Sequence, residues 1–180
     1  GEPRSLRVLL LTVGLGVGGT ETQILELASR LQARGTDVVV CALKGEDVVA
    51  QELRQRGVRV VTLKGRGSWD VLVLLRLAKL IRLIEPDVLH SFLFFANIGA
   101  RLIGRLLAVP VVISSYRGVE VHRTGVRALV DRMTLCLADA VTCCSDAVRG
   151  TVEQNLRLAP KKLVTIHNGI AFDRFIQTTP

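Results

Sequence analysis

Apolar and polar positions follow two rhythms that alternate along the chain. Residues 6–13 form an almost unbroken apolar run, whereas Ile24, Leu27, Ala28 and Leu31 recur at the i, i+3, i+4, i+7 spacing of one buried helix face. The first pattern predicts a buried strand and the second a helix, which Thr20 and Gln23 open as a capping box and Gly35 closes. The same alternation continues: a strand over 37–43, a helix over 47–56, and a strand over 58–63. Ser68 is then placed to cap a long helix over 69–84, which Pro86 ends. A short strand over 87–90 leads to another helix through Leu107, and Pro110 introduces a strand over 111–115. After a loop to Gly125 come a helix to Leu137, a strand over 140–143, a helix from Ser145 to Leu156 and a strand over 163–167. Strands joined through helices of this length must run parallel, with helices on both faces. The expected fold is α/β: a doubly wound, mainly parallel, Rossmann-like sheet of about seven strands.

Composition narrows the class. The 180 residues are 49% hydrophobic and 22% charged, enough to bury one core in one domain. No apolar run reaches the ~18 residues of a membrane span, and the charged opening before a strand does not read as a signal peptide. The first residue is not Met, which fits processing or a cloning scar. Cys41, Cys136, Cys143 and Cys144 form no CxxC pair and have no His at zinc-ligand spacing, so they read as free or buried thiols of a reducing, cytoplasmic compartment. No metal site is expected. The 24 Lys and Arg against 16 Asp and Glu leave a charge of +8, which asks for an anionic partner. With aromatics at only 4%, stacking platforms for nucleic acid are missing, so an anionic membrane surface or a phosphorylated substrate fits better.

Residues 14–21, GLGVGGTE, lie between the first strand and its helix. Glycines let backbone N–H groups approach a ligand, and the helix start behind them carries unpaired donors and partial positive charge, a natural phosphate site. Gly14, Gly16 and Gly19 satisfy GxGxxG, but the acidic residue that would hold a ribose hydroxyl is replaced by Leu43 and Lys44. That disfavours NAD and leaves open a stand-alone module for NADP, with Lys44 on the 2′-phosphate, or for another phosphate ligand. The alternative is a tightly packed turn with no ligand.

Five segments in order, GVGGTETQILELASRL, PDVLHS, VISSYRG, ADAVTCCSDAVR and KLVTIHNGIAFDRF, together resemble the N-terminal half of family 4 retaining glycosyltransferases of the GT-B fold. The resemblance covers nearly the whole chain. It implies a two-domain enzyme in which one domain holds a nucleotide-sugar donor and the other presents a carbohydrate or lipid-linked acceptor, with no metal and no cofactor beyond the donor as co-substrate. The family's paired Glu residues of the donor domain have no counterpart here. Residues 1–170 are accordingly expected to be the acceptor-binding domain and 171–180 the start of the linker to a missing nucleotide-sugar-binding domain. Such a fragment is expected to be inactive alone.

The resemblance also distributes roles. Gly18 and Gly19 match the glycine loop that approaches the donor diphosphate, and Thr20 joins them as a donor-phosphate residue. Glu21 matches the acidic residue after the loop; because a carboxylate repels phosphate, an acceptor-hydroxyl or structural role suits it better, and ordinary capping is an equal reading for Thr20 and Glu21. His90 matches a strand-end His on the acceptor side, although Phe92 replaces the second His common in the family, and a satisfied structural His is the competing reading. His122 lies in the loop where relatives place an active-site polar group and is the candidate catalytic residue. Arg117, just past the fifth strand, is a candidate clamp for an acceptor carboxylate or phosphate, against a surface ion pair. Ser145 reads as a helix cap.

Two helices add a membrane question. Arg76, Lys79 and Arg82 form a basic stripe on the leucine-rich helix over 69–84, and Arg101 and Arg105 repeat it on the next. These are either core helices with a solvated edge or helices that dock on anionic lipid, which would make the protein peripheral on the inner membrane face and suit a lipid-linked acceptor.

Overall fold

The chain's apolar runs become seven strands, all parallel, in the order β3-β2-β1-β4-β5-β6-β7. They are β1 (Arg7–Thr12), β2 (Asp37–Ala42), β3 (Arg59–Thr62), β4 (Val88–Phe92), β5 (Val111–Tyr116), β6 (Ala140–Cys143) and β7 (Leu163–Thr165). The helices are α1 (Gly19–Ala33), α2 (Val48–Gln55), α3 (Val71–Ile84), α4 (Phe94–Leu106), α5 (Gly125–Thr134) and α6 (Asp146–Leu156), with a 3₁₀ turn, Leu135–Leu137, after α5. This computed structural model describes residues 4–45, 47–65, 70–118, 125–156 and 162–169. The α/β, doubly wound, Rossmann-like expectation therefore holds strand for strand.

Strand parity sorts the core into two sides. Val8, Leu10, Val38 and Val40 pack under Ile24, Leu25 and Ala28 of α1 and Val49, Ala50 and Leu53 of α2. Leu9, Leu11, Val39, Leu89 and Val112 point the other way, onto Val73, Leu77 and Ile81 of α3 and Ala96 and Ala100 of α4. Val141, Cys143 and Leu163 face the same way as Val112 by register and pack with Val148, Val152 and Leu156 of α6. Close approach of α4 requires Gly104: a Cβ there would stand 3.0 Å from both Leu89 Cδ2 and Val112 Cγ2.

Coverage of the sheet is uneven, which corrects the expectation of helices over both faces throughout. Among the described residues, the α1 side of β5–β7 carries no helix. Val111, Val164 and Ile166 are 36%, 46% and 56% exposed as a result. That bare half becomes one wall of the groove described below.

The polar interior departs most from the sequence reading. Arg101 is not on a surface stripe; it is fully buried and ion-paired with Asp131 of α5 at 2.6 Å. Its Nε donates to Ser114 Oγ at 2.9 Å and its Nη2 to the Tyr116 hydroxyl at 3.0 Å, while that hydroxyl donates to Asp131 Oδ1 at 2.7 Å. Burial pushes the Tyr116 phenol well above its usual range. Arg105 stays nearer the surface, donating to the Leu137 carbonyl at 2.7 Å and pairing with the part-exposed Asp139. The cluster joins α4, the end of β5 and α5. A buried pair stripped of one partner leaves an uncompensated charge, so Arg101→Leu should lower unfolding free energy by about 3–5 kcal/mol. Arg101→Leu with Asp131→Leu should recover most of that loss in urea denaturation; a double variant no more stable than the single one would show that the charges do not act as a pair.

Candidate functional site

The chain order reverses between β1 and β4, and in open parallel sheets that reversal opens a crevice at the carboxyl ends of the strands. Leu15 anchors the turn that follows β1: it is 1% exposed and shares its core cluster with Phe92 and Leu93 at the end of β4. With Leu15 held in the core, the glycines around it lie at the edge. Leu93 itself takes φ 72° and ψ 158°, a conformation that costs a non-glycine residue about 1–3 kcal/mol and that packing must maintain.

The start of α1 differs from the capping box the sequence suggests. Gly18 is the N-cap residue and no side chain caps the helix. Thr22 Oγ1 instead donates to the Gly18 carbonyl at 2.9 Å. The Gln23 amide is drawn to another part of the chain: its Nε2 donates to the Gly169 carbonyl at 2.8 Å, and Gly169 N–H donates back to its Oε1 at 3.1 Å. Glu21 folds over Gly18, where a Cβ would come within 2.3 Å of the carboxylate. By contrast, a Cβ at Gly19 would meet nothing within 4 Å. Thr20 is half-buried in the first turn and accepts no capping bond.

His90 is not at a strand end. β4 runs two residues further, because Ser91 and Phe92 are both buried in the sheet, and His90 lies at its centre. Its Nε2 is 2.7 Å from Ser115 Oγ, Ser115 Oγ is hydrogen-bonded in turn to Thr142 Oγ1, and the imidazole stacks on Phe92 at 4.4 Å. Phe92 thus stands against His90 as a packing partner. Burial, with the Arg117 charge adding to it, pulls the His90 pKa down to about 4, so the ring is neutral at pH 7.

His90, Ser115 and Thr142 form a polar ladder across β4, β5 and β6 on the α1 side of the sheet. They line a groove of about 520 Å³ whose opposite wall is α1, with Gln23, Glu26 and Arg30. Arg117 lies at its edge, half-buried, and donates to Asn168 Oδ1 at 2.7 Å; among the described residues it forms no ion pair with an acidic side chain. The Arg117 and Gln23 bonds bring the exits of β5 and β7 and the start of α1 to one rim, as the sequence reading requires. Ser145 does act as a cap, accepting from Val148 N–H at 3.3 Å. His122, Ser68 and the linker over 171–180 lie outside the described residues. All four cysteines are free, and burial raises the Cys41 thiol to about 12 and the Cys143 thiol to about 11.

A second polar knot escaped the sequence reading. Ser91 Oγ donates to Asn97 Oδ1 at 2.8 Å, and Asn97 Nδ2 to the Ser115 carbonyl at 3.1 Å, so α4 is fastened to the same strands that carry His90 and Ser115. Its signal was Asn97 and Arg101 at i, i+4 in a helix whose first three turns are otherwise apolar.

A parallel lobe with this strand order and a glycine turn at its reversal point is a Rossmann-like unit. The chain belongs to Glycosyltransferase Family 4, whose profile matches residues 17–174. Its fold matches a glycosyltransferase from Rickettsia africae at 17% identity and TM-score 0.79, over 98% of this chain and 47% of that one. Anabaena HepE in complex with UDP matches at 16% identity and TM-score 0.75, over 93% and 45%. A UDP-GlcNAc 2-epimerase from Neisseria meningitidis bound to UDP-GlcNAc matches at 12% identity and TM-score 0.68, over 91% and 46%. The chain spans about half the length of these structures. No curated protein matches it in sequence.

The neutral state of His90 predicts a pH dependence. The unfolded chain binds a proton near pH 6.5 that the folded chain refuses until about pH 4, so stability is complete above about 6.5 and falls as pH drops toward 4. The loss through this residue should not exceed about 3 kcal/mol. His90→Gln should flatten urea-unfolding stability across that window, and an unchanged slope would remove the assignment.

Proposed function

We propose that this chain is the acceptor-binding half of a retaining glycosyltransferase that moves a sugar from a nucleotide-sugar donor to a carbohydrate or lipid-linked acceptor. In this reading it is a fragment, inactive alone, with the donor lobe joined through the segment over 171–180. The observation that carries the reading is the uncapped start of α1, open at Gly19, on the same rim as Arg117, Asn168 and Gly169. In the transfer, the bond between the sugar's anomeric carbon and the diphosphate breaks while an acceptor oxygen forms a new bond to that carbon and passes its proton to the departing diphosphate oxygen. Negative charge gathers on the leaving diphosphate, and the backbone donors of Gly18, Gly19 and Thr20, at the positive end of α1, are suited to stabilise it. The reading needs no metal and no cofactor besides the donor. His122 is assigned as the active-site polar group and Arg117, His90 and Glu21 as acceptor-side residues. Membership of the family weighs against the stand-alone NADP module.

In the full-length protein, proton NMR of the product should show the donor's anomeric configuration preserved. Gly19→Ala places a methyl where the protein leaves open space, so Tm should hold while kcat/KM falls at least tenfold, about 1.4 kcal/mol of transition-state binding. An inverted product, or a Gly19→Ala enzyme of full activity, would refute the reading.

The same proposal gives the protein a cytoplasmic site of action, peripheral on an anionic membrane surface. No helix of the described residues is long and apolar enough to cross a membrane. Yet Leu72, Leu75 and Leu83 of α3 are 57%, 57% and 81% exposed, beside the exposed Arg76, Lys79 and Arg82. Leu106 of α4 and Val126 and Met133 of α5 extend the apolar surface. Leucines that enter the headgroup boundary with cations around them favour anionic lipid. The chain should float with vesicles containing anionic lipid and not with neutral ones, and Leu72→Gln with Leu75→Gln should abolish flotation; equal recovery with both vesicle types would sink the membrane role.

A further inference from the structure

At the exit of β7 apolar packing stops before the described chain does. The last ladder bond there runs from the Ile166 N–H to the Cys143 carbonyl at 2.8 Å, and Ile166 itself is 56% exposed. His167, Asn168 and Gly169 beyond it are exposed and contribute no side chain to any core cluster. Among the described residues, three hydrogen bonds made by side chains hold this segment to the lobe. Arg117 Nη2 donates to Asn168 Oδ1 at 2.7 Å, Gln23 Nε2 donates to the Gly169 carbonyl at 2.8 Å, and the Gly169 N–H donates to Gln23 Oε1 at 3.1 Å.

The clasp on Gly169 needs a carboxamide. Such a group sets a donor beside an acceptor, so Gln23 pairs with both the N–H and the C=O of one residue, much as a neighbouring strand would. Gln23 lies one helical turn from Gly19, the open end of α1. Exposed hydrogen bonds replace bonds to water at small net gain, and the core clusters close without any member from this segment, so the clasp adds little to the stability of the lobe. What it determines is the position and direction of the chain at residue 169, relative to the helix start where the leaving diphosphate gathers charge.

We infer that Gln23 is a positioning residue for the transfer: by clasping Gly169, with Arg117 on Asn168 beside it, it fixes the register in which a donor lobe joined after this segment meets the glycine turn. The inference rests on the transferase reading and adds to it a residue that acts through the chain and not on a substrate. A displacement of about 1 Å between reacting groups can cost about a hundredfold in rate. A clasp that sets the origin of the second lobe therefore acts on kcat, whereas nucleotide affinity, which the donor lobe supplies, does not depend on it.

In the full-length enzyme, Gln23→Leu keeps a good helix former of similar size and removes both bonds to Gly169. Its Tm should match wild type and its kcat should fall at least tenfold, while the calorimetric affinity for UDP or GDP, whichever the enzyme binds, should be unchanged. Gln23→Glu retains the acceptor but sets a carboxylate against the Gly169 carbonyl, so its kcat should fall as well, which a contribution from bulk alone would not produce. Asn168→Ala breaks the adjacent bond at an exposed position; it should give the same split of kcat from affinity, and it serves if Gln23→Leu fails to fold. Small-angle scattering of the nucleotide-bound enzyme should give each variant a larger radius of gyration than wild type. Full kcat in both Gln23→Leu and Asn168→Ala, a loss of nucleotide affinity as large as the loss of kcat, variants as compact as wild type, or a Tm that drops in step with activity would each overturn the inference while the transferase reading stands. A wild-type enzyme that transfers no sugar would remove that reading and the inference with it.

Discussion

β1 is hydrogen-bonded to β2 on one side and to β4 on the other, and this placement where the strand order reverses governs everything that follows. A parallel strand can be reached only by a crossover, and right-handed crossovers that step across the sheet in opposite directions, β1 to β2 to β3 and then β3 to β4 to β5, put their helices on opposite faces. So α1 and α2 lie on one side and α3 and α4 on the other, and the turns that leave β1 and β4 part at their carboxyl ends. The crevice between them follows from connectivity before any particular side chain is considered. Leu15, Phe92 and Leu93 stabilise it by burying both turns in one cluster, and the left-handed φ of Leu93 is the conformational cost of beginning α4 so soon after β4.

Polar burial then fastens the lobe where apolar packing alone has little geometry to specify. Arg101 joins α4 to β5 through Ser114 and Tyr116 and to α5 through Asp131, so both ends of the segment between Tyr116 and Gly125 are tied to one guanidinium. Asn97 fastens the same helix one turn earlier, to Ser91 and to the Ser115 carbonyl. These bonds set the strand ends from which Arg117 projects. The Arg117–Asn168 and Gln23–Gly169 contacts extend the arrangement to the exit of β7. The rim is therefore a product of long-range hydrogen bonds laid on a scaffold that hydrophobic periodicity builds.

That division explains what could be read from the sequence. The strands were legible because parallel strands are covered on both sides over much of their length and read as continuous apolar runs, and the helices because α1, α2 and α3 each bury one stripe. β4 was read two residues short because Ser91 breaks the run; it belongs to the sheet because Asn97 and the Ile113 carbonyl accept from its hydroxyl. The capping box failed because Gln23 finds Gly169 at a separation of 146 residues, and no local rule weighs that partner. Arg101 looked like one of a surface series for the same reason, since Asp131 lies 30 residues away. Arg76, Lys79 and Arg82 are exposed as their spacing suggests, although the Arg76 guanidinium also donates to the Leu63 carbonyl at 2.7 Å. The glycine turn was legible as chemistry, while the groove was not, because it is lined by residues from elements that sequence order keeps apart.

The two adjacent glycines of the turn differ in what they do. Gly18 has φ −176°, an extended conformation that any residue adopts, so its lack of a side chain matters for space and not for backbone freedom. The space is taken by the Glu21 carboxylate, which sits at the positive end of α1 and complements its dipole. A phosphate arriving at the same helix start meets that negative charge at Gly18 but open space at Gly19. Backbone donors are therefore accessible mainly on the Gly19 side. Any anion bound there must either keep its distance from Glu21 or displace the carboxylate into solvent. This geometry favours Glu21 as a dipole-complementing group that shapes the approach of an anion over a direct phosphate ligand, and it makes Gly19 the position whose side chain is most constrained by what binds.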